Sequence, residues 1–416
     1  MAVSTCGLLL TQAVFVPVII FFFIAYSPIF LDVDPQPFSS IEAQEMKEKL
    51  SQNDRLSFIE KRFFNEIAGP ESFAVHEGKI FTGLRDGRII AFHGDTYQNF
   101  SFPTEQCSEP KEQHLCSRPL GMRFMSNGIL YVADTIRGLL KVDIKTGDRE
   151  VILKAGTVVD GIPILFLNNL CIDEESDVIY LSEASTKWSS KQVFYIYLET
   201  KPSGRILKYH LKTKSVSTVV NGLFFGNGVQ LSHDKKSLLI ADTTTTCVKR
   251  FHLEGPNKGK IGIFTCGLPG FPDNISPTKR KSYWVAMAVS KGNKSTVLIE
   301  RIFNLPPLIR KVMLRVMDRI GVAINMISQN FIESIHCKSF AEMFSSGMYL
   351  FLQACEKYGL IVELDENGNI IDSLHAPEGE IYFISEVLEH EDGNLYLGSY
   401  FHNFIGVVNR YSLSKG

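Results

Sequence analysis

The sequence predicts an all-β fold: a six-bladed β-propeller with an N-terminal transmembrane anchor helix and a helical insertion in blade five. Three observations predict it. A phrase of apolar strand, turn and further strand recurs six times, a long uncharged apolar stretch precedes Asp32, and a helical pattern interrupts the repeat once.

The repeat opens with KIFTG from Lys79, which runs into GRIIAFH. GILYVAD from Gly128 leads to GLLKVDIKTGDREVIL, DVIYLSE from Asp177 to GRILKYHLKTKSVSTVV, and SLLIAD from Ser237 to CVKRFHLEG. YWVAMAV then precedes GLIVELDENGNIIDSL, and GNLYLGSY precedes GVVNRYSL. The spacings are near the ~40–50 residues of a propeller blade. Small twisted sheets arranged radially bury both faces against their neighbours and leave a central channel. The rival is an array of β-sandwiches, which lacks this repeated phrase.

Residues Gly7 to Phe30 read GLLLTQAVFVPVIIFFFIAYSPIF, without a charge. About 20 apolar residues span a bilayer as a helix. A cleaved signal has a shorter apolar region and a small-residue cleavage site, which the Ser-Pro-Ile-Phe ending lacks; it stays open as an alternative, as does a buried soluble helix. The expected organisation is a short cytosolic tail over 1–6, a signal-anchor over 7–30, a polar stalk over 31–62 and the propeller over 63–416. No Lys or Arg precedes Lys47, so the positive-inside rule has little to count. The expectation is a single-pass type II membrane protein with its propeller in the secretory lumen or outside the cell.

Cysteines and sequons favour that side. There are eight Cys and no C-x-x-C pair, which argues against a zinc ribbon. Cys107 and Cys116 flank a polar stretch, CSEPKEQHLC. A disulfide closing it suits an oxidising compartment; two free thiols are the alternative. Asn99-Phe-Ser and Asn293-Lys-Ser are glycosylation sequons. A formal net charge of −2 gives no electrostatic footprint for nucleic acid.

The interruption falls between about Leu298 and Met348, where Pro306-Pro307 opens a helix. Leu308, Ile309, Val312, Met313, Val316 and Ile320 share one face; Arg310, Lys311, Arg315 and Arg319 lie away from it. A lid packed on the propeller and a basic amphipathic helix touching anionic lipid both fit the pattern.

The densest motif runs from Phe225 to Ile275: FGNGVQLSHDKKSLLIADTTTTCVKRFHLEGPNKGKIGIFTCGLPGFPDNI. With CSRPLGM at Cys116–Met122, FLNNL at Phe166–Leu170 and SEVLEHEDGNLYLGS at Ser385–Ser399, it resembles the strictosidine synthase-like family, adipocyte plasma membrane-associated protein group. The resemblance covers roughly residues 60–416, and extends to the related paraoxonases with their channel calcium. It implies a calcium site formed by Glu71 in GPESF, Asn168 in FLNN, Asn227 in FGNG, and Asp273 with Asn274 in PGFPDN. Read for themselves, these are all oxygen donors, which suit a hard cation. Each taken singly also reads as a turn residue.

The resemblance also exposes departures. Leu120 stands where paraoxonases carry the histidine that helps activate water, and Ser72 and Asn169 replace aspartates of their second calcium site. Ser385 stands at the catalytic glutamate of strictosidine synthase, with Glu386 and Glu389 nearby. His390, His210, His252 and His402 read as structural. The leading expectation is a weak calcium-dependent arylesterase- or lactonase-like hydrolase of a small-molecule ester or lactone. The alternatives are a non-enzymatic membrane-tethered propeller that binds a protein partner and, third, a condensing enzyme.

Overall fold

The computed structural model of the chain describes residues 5–101, 117–292, 298–331, 343–344 and 346–410. Two compact units are distinguished. One comprises Ser40–Ser190, Pro202–Val297 and Cys355–Gly416; the other comprises Met1–Ser39, Lys191–Lys201 and Leu298–Ala354.

In the first unit the described residues form six four-stranded sheets, the blades, and one small two-stranded sheet. The innermost strands are Phe73–His76, Pro119–Phe124, Leu167–Asp173, Gly226–Leu231, Gly270–Pro277 and Glu386–Glu389. Blades one to five each run outward in chain order. Blade six takes its outermost strand from the other end of the propeller, Glu60–Arg62 pairing antiparallel with Ile405–Asn409. That closing strand lies in the stretch expected to be stalk. It reads Glu-Lys-Arg, and an exposed outer edge strand needs no apolar pattern to announce it.

The second strand of each blade explains the legible repeat. Leu130–Asp134, Val178–Glu183 and Ser237–Asp242 are buried at every position. A strand covered on both faces reads as a continuous apolar run instead of an alternation. Its side chains meet those of the next blade. Ala133 and Leu139 of blade two pack in one cluster with Leu170, Ile179, Leu181 and Leu207 of blade three.

Residues from Ser40 onward also lie on the propeller and form no polar stalk. Leu50 joins the core beside Leu239, Val285 and Leu360, and Leu56 joins it beside Trp284, Ile361 and Leu374. Arg55 grips Asp372 through both carboxylate oxygens, at 2.7 and 3.0 Å. Two leucines in an extended strap create no period, so sequence pattern passes over them.

His375 ties this strap down. It is fully buried, with Nδ1 2.7 Å from the Tyr358 hydroxyl and Nε2 2.8 Å from Ser373 Oγ. Its backbone N–H donates to Asn53 Oδ1 and its carbonyl accepts from Leu56 N–H. Burial, then the neighbouring Arg55, pushes the imidazole down to about 4. The unfolded chain, with an ordinary histidine near 6.5, therefore takes up a proton that the folded chain refuses. Stability is lost as the pH falls through the window between those values, by up to about 3 kcal/mol. His375→Gln removes this contribution. Wild type is expected to lose more melting temperature than the variant between pH 7 and pH 5; equal losses would exclude it.

Cys247 and Cys266 form a disulfide, 19 residues apart, that links the start of one blade-four strand (Cys247–His252) to the end of the next (Ile261–Thr265). Cys171 and Cys355 are buried free thiols. Cys107, Cys116 and Asn293 lie outside the described residues. Asn99 is exposed on the outermost strand of blade one, Thr96–Ser101.

The second unit is helical: Thr5–Tyr26, Val193–Glu199, Leu298–Phe303, Pro307–Phe331 and Met348–Ala354. The first helix has 22 residues and no charged side chain. Among the described residues no helix is long and apolar enough to cross a membrane. In the Pro307–Phe331 helix the inward face differs from the expected one. Arg310, Leu314, Arg315 and Met317 are buried, whereas Ile309 and Ile320 are exposed. The arginines turn inward because helix ends and irregular segments leave carbonyls without donors. Arg315 Nη1 donates to the carbonyls of Ile24, Ala25 and Ser27 at 2.8–3.1 Å, and Nε to that of Leu31 at 2.9 Å. Arg310 serves the carbonyl of Leu198 and the Thr200 hydroxyl.

Candidate functional site

The innermost strands of four blades share one irregularity. In blade three Leu167 pairs with Glu183 and Leu170 with Leu181, so Asn168 and Asn169 face Ser182 alone. In blade four Asn227 and Gly228 lie in the same two-against-one bulge, in blade five Asp273 and Asn274, in blade two Leu120 and Gly121. A bulge of this kind breaks the alternation of faces and re-aims side chains, and is common beside functional sites. Four of the five expected calcium ligands lie in these bulges. The fifth, Glu71, lies just ahead of the innermost strand of blade one.

Small residues let the bulges approach one another. A Cβ built on Gly228 would stand 2.6 Å from the Asp273 carbonyl oxygen and 2.7 Å from Asn274 Cα. One on Gly121 would stand 2.5 Å from Asn169 Cα. In blades three and four an acid ending the second strand holds the entry to the bulge: Glu183 Oε1 accepts from Leu165 N–H at 2.6 Å, and Asp242 Oδ1 from the N–H groups of Phe224 and Phe225 at 2.9 and 3.0 Å.

Hydrogen bonds connect the bulges. Asn274 Nδ2 donates to Glu71 Oε1 at 2.9 Å, and Asn274 Oδ1 accepts from Asn169 Nδ2. Asn227 hydrogen-bonds the Asp273 carboxyl. The Ser385 hydroxyl donates to the Glu71 carbonyl at 2.6 Å, and its own carbonyl accepts from Asn274 N–H at 3.0 Å.

Three oxygens are left over. Glu71 Oε2, Asn168 Oδ1 and Asn227 Oδ1 are buried and accept from no protein donor. An unmet buried polar atom costs about 1–3 kcal/mol, so three of them, on Glu71 and in the bulges of blades three and four, call for a partner. That partner is positively charged or donates protons. Burial, then the nearby Glu386, raises the Glu71 carboxyl to about 7; burial, then Glu71, raises Asp273 well above its ordinary value. Burial thus disfavours the ionised form of both carboxyls, which a bound cation would favour. The donors are oxygen only, carboxylate and amide, and fit a hard cation such as calcium. Among the described residues no group of three or more His, Cys, Asp or Glu side chains forms a metal cluster; the set here is rich in amides instead.

Glu386 and Glu389 are separated by the strand between them. Glu386 is buried and accepts from Phe73 N–H at 3.1 Å, Ser276 Oγ at 3.0 Å and Arg123 Nη2 at 3.2 Å. Glu389 belongs to a peripheral network with Arg280, Arg410 and Trp284 Nε1. His390 pairs with Asp392 in the following turn at 3.2 Å. Leu120 is buried, and its carbonyl accepts from Ser72 Oγ. Farther along the innermost strands lies a cavity of about 320 Å³, to which all six contribute, through Val75, Arg123, Cys171, Leu231, Ser276 and Leu388.

Comparison with known proteins places the chain in a family. The strictosidine synthase family model matches residues 168–256, and the strictosidine synthase-like N-terminal model matches 49–92. Adipocyte plasma membrane-associated protein from Salmo salar is 32% identical over 387 residues, covering 92% of this chain and 85% of that one. The chain belongs to the strictosidine synthase-like family. The Homo sapiens adipocyte protein is 31% identical, covering 88% of this chain and 82% of its own length. Strictosidine synthase-like 10 from Arabidopsis thaliana is 33% identical, covering 82% and 85%. Among solved structures, a gluconolactonase from Xanthomonas campestris matches with a TM-score of 0.52 and 11% identity, over 92% of this chain and 98% of that one. A calcium-binding protein, regucalcin from Agrobacterium tumefaciens, matches with a TM-score of 0.51 and 11% identity, over 84% and 92%. These two show a shared fold. At position 385 this chain has a serine, whose hydroxyl donates to the Glu71 backbone carbonyl and offers no carboxylate.

Proposed function

We propose that this chain is a calcium-dependent hydrolase of small esters or lactones, weak in activity and held to a membrane by its N-terminal helix. The observation that carries the reading is the three buried, unmet oxygens on Glu71, Asn168 and Asn227, of which Glu71 is hydrogen-bonded to Asn274 and Asn227 to Asp273. These five residues would hold the ion. Bound there, calcium supplies a Lewis-acidic charge for an ester carbonyl oxygen. Asn274, fully buried, orients Glu71, and Asn169 orients Asn274. The solved gluconolactonase and regucalcin share the propeller, which makes lactone chemistry and calcium natural candidates.

Membrane attachment is supported by the charge-free helix Thr5–Tyr26 and by relatives named for the plasma membrane. The proposed layout is the tail at 1–6, the anchor at 7–30 and the propeller on the exoplasmic side, with Asn99 and Asn293 open to glycans and Cys107 bonded to Cys116. One observation favours a second reading, a propeller that binds a partner without catalysis. Leu120 fills the bulge of blade two with an apolar side chain, so no base stands opposite the candidate ligands there.

One experiment tests the first reading and the topology together. Sealed microsomes containing the full chain are assayed with phenyl acetate and a small lactone. Turnover is expected, resistant to EGTA while the vesicles are closed and abolished by EGTA once detergent opens them. Absence of turnover favours the binding propeller, and inhibition in sealed vesicles reverses the orientation.

A further inference from the structure

We infer that Arg118 forms an anion subsite beside the candidate metal residues, and that the ligand taken up there carries a carboxylate on an apolar body. Arg118 is 5% exposed, yet only one of its nitrogens is engaged: Nη1 donates to the Gly69 carbonyl at 3.1 Å. Nε and Nη2 are buried and have no hydrogen-bond partner. Those two N–H groups lie on one edge of the guanidinium and point the same way. This is the fork that binds both oxygens of a carboxylate. A buried cation with its bidentate edge unused is costly unless something meets it.

The surroundings place that edge in the functional region. Arg118 directly precedes the bulged innermost strand of blade two, and Gly69 lies two residues before Glu71. Gly69 itself has φ +63°, and a side chain there would stand 2.8 Å from the Tyr400 carbonyl oxygen and 3.1 Å from Arg118 Nη2. The guanidinium stacks on the Tyr400 ring, 4.3 Å from its centroid. Exposed Arg85 approaches the same glycine and donates to the carbonyls of Tyr400 and Phe401. Two cations, Arg118 and Arg85, share the place, and the Glu71 carboxyl lies within electrostatic reach of Arg118. Tyr400 also contacts the Phe401 ring at 5.2 Å, and Phe401 contacts Phe383 at 5.1 Å, an aromatic row on which the apolar body of the ligand would lie. The inference deepens the hydrolase reading by naming its substrate class, and rests on that reading only for the reacting end of the molecule.

The test is binding, kept apart from turnover. The full chain in detergent with calcium is titrated with phenylacetate and with phenylacetamide, which has nearly the same shape without the charge. The carboxylate is expected to bind about tenfold more tightly, from two charge-assisted hydrogen bonds. Arg118→Gln should erase the preference and Arg118→Lys should keep part of it. Equal binding of both probes by wild type, or a preference that survives in Arg118→Gln, overturns the subsite. If Arg118→Gln does not fold, exposed Arg85→Gln carries the test: its preference must drop severalfold, and an unchanged one overturns the inference. A carboxylate preference without ester turnover leaves the subsite standing and removes the hydrolase reading.

Discussion

Asp273→Asn is expected to weaken calcium binding by about 100-fold or more, the upper end of what outer-shell changes cost a metal site. It removes one of only two negative charges among the five candidate ligands. The consequence for stability has a sign that depends on calcium. Without the ion, Asp273 is a carboxyl whose ionised form is disfavoured by burial and by Glu71. An amide of the same shape relieves that burden, so in chelator the variant should melt at the same temperature as wild type or above it. With calcium at 100 times the wild-type Kd, the ion stabilises wild type by about 2.7 kcal/mol. The variant loses nearly all of this. The two melting curves should therefore exchange order between chelator and calcium. Curves that keep one order in both conditions, or a titration showing unchanged affinity, would remove Asp273 from the site and return the three unmet oxygens to water.

The parts of the fold that were legible are those where one physical demand fixes residue type. Val178–Glu183 and Ser237–Asp242 must be apolar on both faces, and their runs stand out in the sequence. The innermost strands answer to several demands at once. They must bulge, admit a neighbour at Gly121 and Gly228, and present polar atoms, so LNNLCID and GFPDNISP carry no period. Their asparagines could be located only through the family resemblance, and their bulged geometry not at all. The Cys247–Cys266 bond was hidden for a related reason. Its partners become neighbours through the pairing of Val248 with Thr265, and neither cysteine sits in the polar loop context that drew notice to Cys107 and Cys116. Arg118 stands in CSRPLGM, where the motif shows only that an arginine is present; the structure shows which of its nitrogens are unused. The inward arginines of the Pro307–Phe331 helix fail for the opposite reason: charge implies solvent until the carbonyls of another segment are found to need donors.

Glu183→Ala is expected to be the most destabilising change in blade three, at about 3–5 kcal/mol, the usual cost of leaving one member of a buried ion pair alone. Glu183 and Arg205 are directly paired across the second and third strands, with Glu183 Oε2 2.6 Å from Arg205 Nε and side chains 0% and 2% exposed. Burial raises the Glu183 carboxyl despite Arg205 and the backbone donors, so the pair is strained for solvation even when intact. Each partner also serves backbone. Arg205 Nη1 and Nη2 donate to the carbonyls of Val159 and Ile162, in the two-stranded hairpin. Glu183 Oε1 accepts from Leu165 N–H, at the entry to the bulge that carries Asn168. Removing the carboxylate thus leaves a buried guanidinium and frees the approach to a candidate ligand. Calcium affinity should fall together with the denaturation midpoint, although Glu183 contributes no ligand oxygen. Replacing both residues, Glu183→Met with Arg205→Met, removes the lone charge and should cost less than Glu183→Ala. A single variant no less stable than the double one would show that Arg205 finds solvent when its partner is gone. Loss of stability with unchanged calcium affinity would show that the hairpin, and not the bulge, is what this pair holds in place.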